Sequence, residues 1–80
     1  MDRLVAPWSG EQVDALNGYQ AEGRFHPFTC GRDRGDEAHA RDAAERDCEP
    51  GLLVAKADGW HCPACGYRQD WAHQFMASPA

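Results

Sequence analysis

The stretch Trp60-His61-Cys62-Pro63-Ala64-Cys65-Gly66-Tyr67 decides how this chain of 80 residues is read. Two cysteines stand two residues apart, and a glycine follows the second. In a C-x-x-C-G turn both thiolates point to one side, and glycine adopts the positive φ that curls the backbone beneath a cation. A tetrahedral Zn²⁺ takes four such donors, so Cys62 and Cys65 form half a site that the rest of the chain must complete.

Working outward, Leu52-Leu53-Val54-Ala55 is a short apolar strand. Lys56-Ala57-Asp58-Gly59 is a turn, and Trp60-His61-Cys62 is the returning strand, so a β-hairpin delivers Cys62 to the knuckle. With Lys56 opposite Trp60, Val54 faces Cys62. Beyond Tyr67, Asp70 is placed to cap a short C-terminal helix running to Met76. Trp71 and Phe75 share one face of that helix at i, i+4 and are expected to fold back over the hairpin. Ser78-Pro79-Ala80 reads as a frayed tail.

Upstream, Met1 to Pro7 reads as an unstructured lead. Ser9 then caps a helix predicted over Gly10–Glu22, with Gln12 closing a capping box and Trp8 and Val13 at the spacing of a hydrophobic staple. Val13 and Leu16, with Tyr19 or Gln20, continue the buried face, and Gly23 is placed to end the helix. Phe25-His26-Pro27-Phe28-Thr29-Cys30-Gly31 favours an extended segment, because Pro27 disfavours helical geometry at His26. Phe25 and Phe28 are expected to pack on the helix. The charged, Ala-rich stretch from Asp36 to Asp47 reads as either a short surface helix or a loop. The fold class expected is a small α+β zinc-binding domain: an N-terminal helix, a zinc-ribbon-like hairpin with its knuckle, and a short C-terminal helix. A single domain spans residues 1–80, with 1–7 and 77–80 flexible.

A chain of this length buries only about 60% of its unfolded surface, and folds this small usually add disulfides or a structural metal. The N-terminal stretch has no apolar run of signal-peptide length, and no segment reaches the roughly 20 apolar residues of a membrane span. A reducing, cytoplasmic setting is therefore expected, in which four cysteines point to metal rather than disulfides. The net charge of −5 argues against general affinity for phosphate backbones. Between Gly31 and Glu49, Arg32, Arg34, Arg41 and Arg46 face Asp33, Asp36, Glu37, Asp42, Glu45, Asp47 and Glu49, a net −3, while residues 50–80 are balanced.

Eight side chains are candidate ligands: His26, Cys30, His39, Cys48, His61, Cys62, Cys65 and His73. Cys30 joins Cys62 and Cys65 because a Cys-Gly turn leaving an aromatic strand is half a knuckle. The competing reading of Cys30 is a small buried hydrophobe. For the fourth ligand, Cys48 makes a Cys₄ site and His39 a Cys₃His site, and local physics leaves the two open. His26 ranks third. Strand alternation turns His61 away from Cys62, and His73 is most simply a helix histidine.

The blocks WSGEQVDALNGYQ (8–20), HPFTCG (26–31) and GWHCPACGYRQDWAHQFM (59–76) resemble those of small uncharacterised zinc-binding proteins of actinobacterial phages and their hosts. In that pattern the cysteine of HPFTC is followed within about ten residues by a histidine, after an Arg/Asp-rich turn. GRDRGDEAH (31–39) matches, so the resemblance implies Cys30, His39, Cys62 and Cys65 as the ligands, with Cys48 the alternative to His39. The Ala-rich insertion from Ala40 to Asp47 departs from the shorter relatives, and the family implies no established activity.

One structural Zn²⁺ in a protein-interaction or regulatory module is the function expected. The alternative is a zinc-ribbon-like nucleic-acid binder using Tyr67, Arg68, Gln69 and Trp71. Against it, Lys56 and Arg68 are the only basic residues after position 50. An enzyme is not expected: Cys-Pro-x-Cys is not preceded by the early strand of a βαβ unit, and no Glu-flanked histidine pair is present. A protein partner is favoured over nucleic acid, and no membrane partner is expected.

Overall fold

Helix α1 spans Gly10–Glu22, the bounds its capping residues predict. The Ser9 hydroxyl accepts the Gln12 N–H at 3.2 Å, and the Gln12 side-chain carbonyl accepts the Ser9 N–H at 2.9 Å, a reciprocal capping box. Trp8 and Leu16 are buried and Val13 packs against the same core. The structure, a computed structural model, describes residues 3–22 and 27–77. The expected helix end at Gly23, the packing of Phe25, the ligand candidate His26 and the tail 78–80 lie outside the described residues.

After α1 come helix α2 (Glu37–Arg46) and strands β2 (Val54–Lys56), β3 (Gly59–His61) and β4 (Arg68–Gln69), which form a three-stranded antiparallel sheet in that order. The hairpin register is shifted by one residue from that expected: Lys56 pairs with Gly59, Ala55 with Trp60 and Val54 with His61. The cause is the turn. Only Ala57 and Asp58 lie between the paired residues, and Gly59 takes φ +130 with Gln69 O passing 2.6 Å from where a Cβ would stand. Glycine alone fits both the conformation and the approach of the neighbouring chain. Upstream of β2 the chain runs beside the segment expected to be extended. Thr29 bridges Leu52, the Leu53 N–H donates to Phe28 O at 3.1 Å, and the Cys30 N–H donates to Gly51 O at 2.7 Å.

The other edge of β2 is closed by the helix. The side-chain amide of Asn17 donates to Ala55 O at 3.1 Å and accepts the Ala55 N–H at 2.8 Å. Gln20, 7% exposed, accepts the Phe28 N–H at 2.8 Å and donates to Phe28 O at 2.8 Å and Leu53 O at 2.9 Å. Two amides one helical turn apart thus stand in for a neighbouring strand. They satisfy buried backbone groups that would otherwise go unpaired.

Two expectations at the chain ends are corrected. Arg3–Val5 forms strand β1 rather than part of an unstructured lead, and Trp71–His73 forms strand β5 rather than a turn of helix. The two pair antiparallel, Arg3 with His73, Leu4 with Ala72 and Val5 with Trp71, and the Ala6 N–H donates to Asp70 O at 2.8 Å. In place of the helix expected over Trp71 to Met76 behind an Asp70 cap there is only a single 3₁₀ turn, Gln74–Ala77, and Ala77 belongs to it rather than to a flexible tail. A helix that short is marginal by itself. The aromatic Trp71 and its neighbours suit a strand once β1 offers a partner some seventy residues away in sequence, a pairing no local pattern reveals. What stands is an α+β chain with two helices and two antiparallel sheets among the described residues.

The core between these layers is aromatic. Trp60 is fully buried; Trp8 meets it edge-on at 5.7 Å between centroids, and Phe28 leans on it at 5.6 Å. Leu16, Leu53, Ala72 and Met76 complete it.

Replacing Gln20 by methionine keeps the volume but removes the side-chain partner of the Phe28 N–H and of Leu53 O, Phe28 O keeping the Leu53 N–H, and is expected to lower stability by about 2–3 kcal/mol. Urea midpoints of the metal-loaded protein measure this. A loss below about 0.5 kcal/mol would show that the amide clamp contributes nothing beyond packing.

Candidate metal centre

The knuckle follows directly from the end of β3. The Cys62 N–H donates to Tyr67 O at 2.8 Å and the Gly66 N–H returns to Cys62 O at 2.9 Å, with Gly66 at φ +78. That closed turn holds the Cys62 and Cys65 side chains on one side, as the C-x-x-C-G pattern predicts.

Cys30 arrives from the segment pinned beside β2. Its thiol accepts the Arg32 N–H at 3.4 Å, the kind of backbone donor that favours thiolate at a knuckle. Gly31 lies directly under the Tyr67 ring, where a Cβ would come within 2.8 Å of the phenol oxygen and 2.9 Å of the ring. The two turns therefore stack through a glycine–aromatic contact, which brings Cys30 Sγ to 3.5 Å from Cys65 Sγ.

The fourth donor is on α2. Asp36 is the N-cap of that helix, its carboxylate accepting the His39 N–H at 3.0 Å. The same oxygen lies 2.5 Å from His39 Nδ1. A carboxylate accepts, so Nδ1 carries the proton in the neutral ring and Nε2 presents its lone pair inward, 3.5 Å from Cys62 Sγ. His39 is 1% exposed. One aspartate thus caps the helix, selects the tautomer and fixes the ring.

The ligand atoms of Cys30, His39, Cys62 and Cys65 all lie within 4.8 Å of one another, so the group is able to hold a metal ion. With bonds of about 2.3 Å to sulfur and 2.0–2.1 Å to nitrogen, a tetrahedral zinc site has S–S edges of about 3.8 Å and S–N edges of about 3.6 Å. The two edges of 3.5 Å are therefore of the right size. The donor chemistry agrees, since soft thiolates with one imidazole suit zinc.

Burial and the neighbouring hydrogen bonds set the thiols of the cluster apart. Burial pushes the Cys30 thiol up to about 11, against the pull of the Arg32 N–H. For Cys65 burial also pushes upward, but the Tyr67 N–H and the hydrogen bonds of Cys30, Cys62 and His39 outweigh it and bring it to about 7. The Asp36 hydrogen bond raises His39 above its ordinary value, and the His39 N–H and ring hold Asp36 below its own. Cys65 thus ionises more readily than Cys30, and a cation bound there would displace the proton that Cys30 keeps.

Cys48 does not belong to this group. It follows Asp47, the left-handed C-cap of α2, and its N–H donates to Ala43 O at 3.0 Å. His39 lies in the first turn of α2, so a rise of about 1.5 Å per residue puts Cys48 some 13 Å further along the helix direction. Helix formation between Asp36 and Asp47 thus separates the two alternatives. His61 binds Asp58 at 2.6 Å on the outer face of the sheet. His73 lies in β5 among Phe28, Trp71 and Phe75 rather than on a helix. Sequence reasoning missed Asp36 as a functional side chain, although an aspartate three residues before a helix histidine is an N-cap signal. It also missed Arg46, which grips Asp42 at 2.5 Å and donates to Leu52 O at 2.8 Å, tying α2 to the segment before β2.

No protein-family model, curated protein or solved structure matches this chain.

Asp36→Asn retains a good N-cap but replaces the charged acceptor behind His39 with a neutral amide. Zinc affinity at pH 7.5 is expected to fall about 10–100-fold with the helix preserved. Competition against a chromogenic chelator reads the affinity and circular dichroism reads the helix; unchanged affinity would remove Asp36 from the site. In the native protein, affinity should drop as pH falls through the raised His39 value, because protonated imidazole is no ligand.

Proposed function

We propose that this chain is a small protein-interaction or regulatory module built around one structural Zn²⁺ held by Cys30, His39, Cys62 and Cys65. The observation that carries the reading is the convergence of four ligand atoms within 4.8 Å from three separate parts of the chain. Four protein donors fill a tetrahedron and leave no position for water or substrate, so the metal organises the fold rather than performing chemistry. The compactness supports a single ion over an iron–sulfur cluster, whose ligands are divided between metal atoms. The ligand set is also the one implied by the resemblance to the small phage zinc-binding proteins.

Binding is the role left to such a module, and two features favour a protein partner over nucleic acid. The chain carries a net −5. Arg68, one residue after Tyr67, is engaged by Asp58. No helix among the described residues is long and apolar enough to cross a membrane.

Native mass spectrometry should find one zinc per chain. Cys48→Ser should keep that zinc, and His39→Ala should lose most of it; the opposite pair of results would transfer the fourth ligand to Cys48. Because structural zinc contributes on the order of 10 kcal/mol in small domains, chelation at neutral pH should collapse the dispersed amide and indole spectrum. A dispersed spectrum after chelation would make the metal incidental to the fold.

A further inference from the structure

Beside the knuckle, an open groove of about 450 Å³ runs between the β2–β3 turn and the β4–β5 connection, lined by Asp58, Tyr67, Arg68, Gln69, Asp70 and Trp71. Its volume is in the range of small binding clefts. Its polar groups are unequal. The Tyr67 hydroxyl donates to Gln69 Oε1 at 3.0 Å, and the Gln69 amide donates to Trp71 O at 3.1 Å, so these two hold one another. Asp58 is shared between His61 and Arg68. Arg68 is thereby neutralised, and it is the one cation in the lining. Asp70 is different. It is exposed, and among the described residues no hydrogen bond or ion pair engages its carboxylate, only its backbone carbonyl being held by Ala6.

An unengaged carboxylate beside two aromatic side chains attracts cations and repels phosphate. Trp71 already has this taste within the chain: the Arg3 guanidinium lies 4.2 Å from its ring centroid, and Arg3 is not part of the groove lining. Guanidinium and ammonium groups gain from a carboxylate and an aromatic face together. We propose that this groove receives an arginine or lysine side chain from a basic segment of a protein partner, with Asp70 as the counter-charge and Trp71 and Tyr67 as the walls. The net charge of −5 would draw such a basic segment to the protein, and Asp70 would hold it at the groove. This assignment rests on the interaction-module reading and names the chemistry of the partner.

The test is a titration of the zinc-loaded protein, followed by amide and indole NMR shifts, with a blocked Gly-Arg-Gly-Arg-Gly peptide. Parallel arms use the same peptide with glutamate for arginine and a single-stranded oligo-dT. The basic peptide should shift the amides of Asp58 and Arg68 to Trp71 and the Trp71 indole in a saturable way, and the other two ligands should not. Asp70→Asn should weaken binding about threefold, whereas Asp14→Asn, which removes an equal charge from the exposed side of α1, should leave it nearly unchanged. The dispersed spectrum of each variant reports separately that the zinc-held fold is intact, so failure here is distinguishable from failure of the structural-zinc reading. The proposal is overturned if the groove amides do not move, if the two aspartate variants weaken binding equally, or if oligo-dT shifts the same residues.

Discussion

Three thiols and an imidazole gathered at one point, all buried but the half-buried Cys65, are the constraint on which this chain depends. Their donors lie within 4.8 Å of one another, and burial, reinforced by the neighbouring Cys65 and Cys62 thiols, drives Cys30 up to about 11. Such a cluster is uncomfortable both as neutral thiols without good partners and as bare thiolates repelling one another. A divalent cation held there would resolve both problems, and its binding energy would be available to the fold. Three segments meet at that point: the knuckle after β3, the extended segment at Cys30 and the first turn of α2.

The remaining architecture reads as support for that point. Trp60 fills the space under the knuckle with an aromatic side chain fully removed from water, braced by Trp8 and Phe28. Its indole N–H has no hydrogen-bond partner among the described residues, a cost of about 1–3 kcal/mol accepted beside the large area the ring buries. Asn17 and Gln20 hold β2 and Phe28 against α1, and so fix the segment that leads to Cys30 two residues later. Asp36 does for His39 what the closed turn does for Cys62 and Cys65. Each ligand-bearing segment has hydrogen bonds of its own that support the ligand's orientation.

The surface beside the centre has a different character from the centre itself. Arg68 and Asp58 cancel one another there, leaving Asp70 and the aromatic side chains to define what the groove prefers. Here that surface is acidic and aromatic rather than basic.

By itself the sequence determined what short-range physics controls. The Ser9–Gln12 box, the bounds of α1, the hairpin and the glycine-closed knuckle all depend on residues within a few positions of each other. The set Cys30, His39, Cys62 and Cys65 came from turn chemistry aided by resemblance, while spacing alone left His39 and Cys48 open. Only the tertiary structure separates them, because α2 forms as a helix and carries His39 and Cys48 to opposite ends. Tertiary structure also decided the fate of both termini. Trp71-Ala72-His73 is compatible with helix or strand, and the arrival of Arg3–Val5 alongside it selects the strand. The one-residue shift of the hairpin has the same origin: Gly59 must let Gln69 O pass within 2.6 Å of its absent Cβ, a neighbour that lies ten residues away in sequence. Local preferences differ by a fraction of a kcal/mol per residue, and a single long-range pairing is enough to reverse them.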